Sequence, residues 1–160
     1  MSVLTQKICL VGDFAVGKTS LIRRFVDRSF SDQYLTTVGV KISRKLVNLE
    51  SGLAIQLVIW DLEGSTKFKA VSSTYLQGAA GAIIVADATR PDTIDHIDDH
   101  CRQFYSINPD KPIVIALNKY DLVSDQLPNV SQAHMTSAKT GYGVDELFYK
   151  LSQKILGGMP

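Results

Sequence analysis

The chain has 160 residues, 45% hydrophobic and 21% charged, and its 17 basic and 16 acidic side chains leave a net charge of +1. That length suits one globular domain over 1–160 with a core of its own, and the near-neutral balance gives no global field for nucleic acid or a membrane surface. The longest apolar run, Ala82-Ile83-Ile84-Val85-Ala86, is too short to cross a bilayer, and Met1 to Thr5 lacks the build of a signal peptide. Cys9 and Cys101, with no C-x-x-C spacing, read as small buried hydrophobes of a reducing, cytoplasmic compartment.

Residues 4–11 read as a first strand and 17–27 as a first helix, followed by a polar loop from Arg28 to Val38. Val40 to Leu49 and Leu53 to Trp60 form a hairpin about Glu50-Ser51-Gly52. Ser65 to Gln77 can form a helix, and Gly81 to Asp87 is a continuous apolar strand. Pro91 opens a helix over Asp92 to Ser106, with Ile94, Ile97, Cys101 and Phe104 at helical spacing. Pro112 to Leu117 and Ala133 to Thr136 are further strands, and Val144 to Leu156 is a final amphipathic helix. The alternation predicts an α/β fold: a six-stranded mixed sheet, mostly parallel, with helices on both faces. His96 and His100 stand four apart, a metal-ligand spacing, but they lie off the apolar face and read as solvent-facing.

The chemistry begins at Gly12-Asp13-Phe14-Ala15-Val16-Gly17-Lys18-Thr19, which fits G-x-x-x-x-G-K-[ST] between a strand and a helix. Glycines there let successive N–H groups turn inward at phosphate oxygens, and the helix N-terminus adds favourable charge. Lys18 would reach the β- and γ-phosphates, and Thr19 would hold Mg²⁺. Gly12, Asp13, Ala15, Val16, Gly17 and Ser20 complete the cradle. The other motifs also follow strands, where open α/β sheets bind ligands. Asp61 in Trp60-Asp61-Leu62-Glu63-Gly64 can hold Mg²⁺, and the Gly64 N–H can turn to a γ-phosphate. Asn118-Lys119-Tyr120-Asp121 offers a carboxylate for guanine N1–H and the 2-amino group, with the Lys119 stem along the base. Ser137-Ala138-Lys139 brings the Ala138 N–H to guanine O6.

With these motifs in order, the chain resembles a small GTPase of the Ras superfamily, most closely its Rab branch, from Leu4 to Leu156. The resemblance implies GTP and GDP as ligands with Mg²⁺, Thr37 as the first-switch threonine, and Phe30 as the aromatic against guanine. It implies catalytic roles for Lys18, Thr37 and Gly64, and effector contacts through 37–45 and 61–77. Trp60 and Tyr75 match two members of the Rab aromatic triad, and Ile42 fills the third place. Lys41, Arg44 and Lys45 on the same strand suit a solvated face or an acidic effector.

Departures from the family pattern bear on rate. Family members that hydrolyse GTP efficiently read D-T-A-G-Q-E after the tryptophan; Ser65 here is too short to orient water as that glutamine does. Phe14 stands where the family has a small residue and would crowd an arginine finger worth about 10³–10⁵ in rate. Glu63 is the candidate substitute for water orientation. The expectation is a switch that hydrolyses GTP slowly; the alternative is a non-cycling interaction module with nucleotide as a structural cofactor. The chain ends in Gly157-Gly158-Met159-Pro160, without the prenylated cysteines of Rab tails, so the expectation is either a truncated chain or one that works without a lipid anchor of its own.

The last crossover is short. Only 122–132 separate the guanine motif from the final strand, fewer than a parallel crossover with a helix normally needs, and Pro128 interrupts them. An extended or single-turn connection is expected. The sheet edge near 122–136 would then be shielded by Leu127 and Val130, or form a dimer or partner contact.

Overall fold

The computed structural model describes residues 3–26, 34–35, 40–62, 73–123 and 128–158. Unbroken apolar runs make the interior strands. β1 (Val3–Gly12), β4 (Ala54–Asp61), β5 (Gly81–Asp87) and β6 (Ile113–Asn118) run parallel. β3 (Lys41–Asn48) is antiparallel to β4 across the Glu50–Gly52 turn, with Ile42 opposite Trp60. Two short strands close the edges: β2 (Tyr34–Leu35), antiparallel to β3, and β7 (Ala133–Met135), parallel to β6. The order is β2-β3-β4-β1-β5-β6-β7.

Alternate residues of the central strands serve opposite faces. Ile8 and Leu10 of β1, Leu57 and Ile59 of β4, and Ile83 and Val85 of β5 form one core with α1 (Lys18–Phe25) and α5 (Val144–Gly157). The Phe25 and Phe148 rings stack there at 3.9 Å. Cys9, Val11, Ala82, Ile84 and Ala86 face the other way, under Leu76 of α2 (Ser73–Leu76) and Ile97 and Phe104 of α4 (Ile97–Ile107). Burying each large apolar side chain stabilises the fold by about 1.5–3 kcal/mol. These layers aim the carboxyl ends of β1, β4, β5 and β6 at one edge of the molecule. No described helix is long and apolar enough to cross a membrane.

Three details differ from the sequence reading. The sheet gains β2, too short to leave a pattern. The helix read over 92–106 is split into α3 (Pro91–Asp95) and α4, with His96 between them at φ −86° and ψ −4°. Cys101 is only half-buried. Of the helix read over 65–77, α2 is the part within the described residues.

Among its described residues the short crossover shows no helix of two turns. A single 3₁₀ turn, Tyr120–Leu122, leads to an extended Val123, and Pro128 to Val130 are also non-helical. Ile113, Ile115, Ala133 and Met135 on this side are half-buried, not exposed, because they pack with Val123 and Val130 against the second core. Leu127 lies outside the described residues.

Candidate functional site

The loop 12–17 leaves β1 and enters α1 with little room at either end. A Cβ on Gly12 would lie 2.3 Å from the Val85 carbonyl oxygen. One on Gly17, whose φ is +100°, would lie 2.3 Å from Asn118 Nδ2. Ala15 takes φ 64°, a left-handed state that costs an alanine about 1–2 kcal/mol.

Side-chain donors hold that shape. Lys18, 4% exposed, donates from Nζ to the carbonyls of Gly12 at 3.0 Å and Asp13 at 2.9 Å. Arg90 Nη1 donates to Phe14 O at 3.0 Å, Lys119 Nζ to Ala15 O at 3.1 Å, and Asn118 Nδ2 to Val16 O at 3.0 Å. Five successive carbonyls are thus turned toward protein donors. In a trans peptide the next N–H points the opposite way. The N–H groups of residues 13–17 accordingly have no acceptor among the described residues. Donors gathered at a helix N-terminus, with a buried ammonium beneath them, make an anion cradle.

Beside the cradle, Thr19 Oγ1 donates to Asp61 Oδ2 at 2.5 Å, and Asp61 is buried. A hydroxyl and a carboxylate, both hard oxygen donors, suit Mg²⁺. Thr37, the third residue expected there, lies outside the described residues, as do Phe30, Glu63, Gly64 and Ser65.

A cavity of about 440 Å³ adjoins the loop, lined by Gly17, Ser20, Asn118, Lys119, Asp121, Leu122, Ala138 and Lys139. These are residues of the phosphate, N-K-x-D and S-A-K motifs. Buried Asn118 joins all three segments: besides its bond to Val16, its Oδ1 accepts from Thr136 Oγ1 at 3.1 Å and from Ala138 N at 3.3 Å. Ser137 Oγ donates to Asp121 Oδ1 at 2.7 Å and orients the carboxylate. Lys119, with φ 66°, lies along the loop and pairs with Asp87 Oδ2 at 3.0 Å. Burial opposes ionisation of Asp87, but the Thr89 hydroxyl and N–H and the Lys119 ammonium outweigh it and hold the carboxyl below its ordinary range. A larger groove, about 640 Å³, lies between β3 and α5, and no phosphate or base motif reaches it.

Two arginines left no sequence signal. Arg24 of α1 donates from Nε to Ala138 O at 2.9 Å and from Nη2 to Lys139 O, fixing the S-A-K loop. Arg90 ties Phe14, whose ring is 56% exposed at the rim. His96 is exposed as read, whereas His100 is mostly covered and corrects the solvent-facing reading; His96 Nδ1 meets Asp13 Oδ2 at 2.6 Å, and His100 Nε2 meets Asp13 Oδ1 at 2.8 Å. Burial opposes ionisation of Asp13, yet the two imidazoles hold its carboxyl below the usual range. The bond from Asp13 and its charge hold His96 above the ordinary imidazole value. Each imidazole takes a different oxygen of one carboxylate, which leaves no common point for an ion. No group of three or more His, Cys, Asp or Glu side chains placed to hold a metal ion occurs among the described residues. Only their spacing of four marked the two histidines, and nothing nearby in sequence pointed to Asp13.

The profile of the family described as Ras of Complex, Roc, domain of DAPkinase matches residues 7–121. The chain is 36% identical over 164 residues to Ras-related protein Rab-2B of Dictyostelium discoideum, covering 94% of this chain and 80% of that protein. It is 34% identical over 167 residues to Ras-related protein Rab-22A of Mus musculus, covering 97% and 86%. With Ras-related protein Rab-4 of Dictyostelium discoideum it shares 33% identity over 162 residues, covering 94% and 78%.

Proposed function

The chain belongs to the Ras superfamily of small GTPases, on its Rab branch, and from that premise we propose that it binds GTP and GDP with Mg²⁺ and hydrolyses GTP slowly. The observation that carries this reading is the loop 12–17, whose carbonyls are tied to protein donors while its N–H groups face the other way. Such a loop meets phosphate oxygens without rearranging its peptides, and preorganisation lowers the cost of binding.

Each residue then has a distinct task. N–H groups of 13–17 hold the phosphates, and Lys18 moves its ammonium from the loop carbonyls to the β- and γ-oxygens. Thr19, Asp61 and Thr37 hold Mg²⁺, which when bound neutralises charge on those oxygens. Asp121, oriented by Ser137, accepts from the guanine edge, and adenine offers no matching donors there. Ala138 donates to O6 by exchanging its long bond to Asn118. Lys119 and Phe30 flank the base, and the Gly64 N–H binds the γ-phosphate.

Slow hydrolysis follows from Ser65, too short to orient water, and from the Phe14 ring, which crowds an incoming arginine. Glu63 is the remaining group able to orient water. Effectors engage residues 37–45 and 61–77, where Ile42 and Trp60 already face each other across β3 and β4. The test is to purify the chain with Mg²⁺, identify the extracted nucleotide by chromatography, and follow conversion of loaded GTP in a single turnover. Bound guanine nucleotide with conversion over many minutes or hours supports the reading. Bound nucleotide that never converts favours the non-cycling module, and equal affinity for ATP and GTP overturns the guanine assignment.

A further inference from the structure

We propose that His96 and His100 are positioning residues of the phosphate loop, clasping Asp13 so that protonation of the clasp slows nucleotide release. The inference rests on the nucleotide-binding reading above and adds to it a control of affinity by pH.

The geometry begins with Asp13. Its carbonyl is held by Lys18 inside the loop, while its side chain turns away, toward the junction of α3 and α4. His96 occupies the break between those helices, and His100 lies one turn on, so both rings reach the same carboxylate. An ionised carboxylate only accepts, so each imidazole carries a proton on the bonded nitrogen, Nδ1 of His96 and Nε2 of His100. The His96 ring can therefore gain a second proton on its other nitrogen without giving up the clasp. Asp13 and His100 are mostly covered, at 19% and 14% side-chain exposure, and His96 is half exposed.

Charge supplies the link to the ligand. With neutral histidines the cluster carries a full negative charge beside a site for phosphates. With His96 protonated that charge is cancelled, and an anionic ligand gains. Asp92 and Asp99 on the same helices add to the pull on the His96 proton. The other charges near the loop are Arg90, on Phe14 O and 3.9 Å from Asp92, and Lys18 and Lys119 on neighbouring carbonyls. The His96 pKa is raised, so the ion pair is complete below the ordinary value of 6.5 and is lost as pH rises through the higher folded value. Binding is reciprocal: if the proton favours nucleotide, nucleotide must favour the proton.

The experiment measures release of fluorescent GDP from the full chain between about pH 6 and pH 8.5, across the imidazole range. His96→Gln and Asp13→Asn are measured beside the unmodified chain, and the His96 ring is titrated by NMR with and without GDP. Release from the unmodified chain is expected to slow roughly twofold to fivefold at the acid end, the scale of a partly exposed ion pair. Both variants are expected to flatten that profile, and bound GDP to raise the His96 titration midpoint. Identical pH profiles in all three proteins, or a midpoint indifferent to GDP, overturn the proposal. Failure to bind any guanine nucleotide overturns the function itself, and is distinguished by the absence of GDP from the purified chain. Should either variant fold poorly, the midpoint measured on the unmodified chain decides alone.

Discussion

Arg24 gives the sharpest test of how the base loop is held. Arg24→Ala removes two charge-assisted bonds, to the carbonyls of Ala138 and Lys139, that join α1 to the S-A-K loop across 114 and 115 residues of sequence. Fully buried, two such bonds would be worth about 3–6 kcal/mol. The Lys139 contact is exposed, and water can occupy both carbonyls once the guanidinium is gone, so about 1–2 kcal/mol is the realistic scale. If that loss falls on the nucleotide-bound form, GDP release accelerates roughly 5-fold to 30-fold. Stopped-flow displacement of fluorescent GDP measures it, with circular dichroism confirming the fold. Arg24→Lys separates charge from shape: an ammonium keeps the charge but cannot fork across two carbonyls, so its rate is expected between the other two. A folded Arg24→Ala protein that releases GDP at the unmodified rate refutes the reasoning. An Arg24→Lys protein indistinguishable from the parent refutes the part that depends on the fork.

Other perturbations address the remaining parts of the site. Asp121→Asn replaces two acceptors with one donor and one acceptor, so competition binding is expected to show weaker GTP and a gain for xanthine nucleotide. Phe14→Gly with Ser65→Gln is expected to raise single-turnover hydrolysis by more than the two single changes combined, since both act on one transition state. Brisk hydrolysis by the parent without a partner would remove the basis for that expectation. Gly17→Ala drives a Cβ onto Asn118 Nδ2 at a φ of +100°, whereas Gly52→Ala, at φ +86°, meets nothing within 4 Å. Thermal unfolding is therefore expected to fall by roughly 4–12 °C for Gly17→Ala and by only about 2–6 °C for Gly52→Ala. Equal shifts would mean that close approach to Asn118 does not constrain the loop.

What was legible in the sequence is what local pattern controls. The interior strands were visible because residues such as Ile83 and Val85 serve one core while Ile84 and Ala86 serve the other, leaving an unbroken apolar run. The phosphate loop was visible because Gly12, Gly17, Lys18 and Thr19 must stand at fixed spacing. The missing helix before β7 was visible as plain shortage of chain. β2 was not, because two residues carry no alternation, and the break at His96 was not, because its partner Asp13 lies 83 positions away. Nothing in the sequence marked Arg24 or Arg90, because their acceptors are backbone carbonyls, which no residue type announces.

The tied loop also has a consequence for the order of folding. The G-x-x-x-x-G-K-T motif is complete within the first nineteen residues. Three of its five held carbonyls, however, those of Phe14, Val16 and Ala15, are held by Arg90, Asn118 and Lys119, across separations of 76, 102 and 104 residues. Contacts that distant bear the loop-closure cost of bringing β5 and β6 beside β1. A chain emerging from the ribosome would carry the whole motif long before it had a loop in the binding shape. On the proposed function, nucleotide would bind a part of the molecule that depends on these distant contacts, and so would select chains that have completed the sheet through β6 and draw the folding equilibrium toward them.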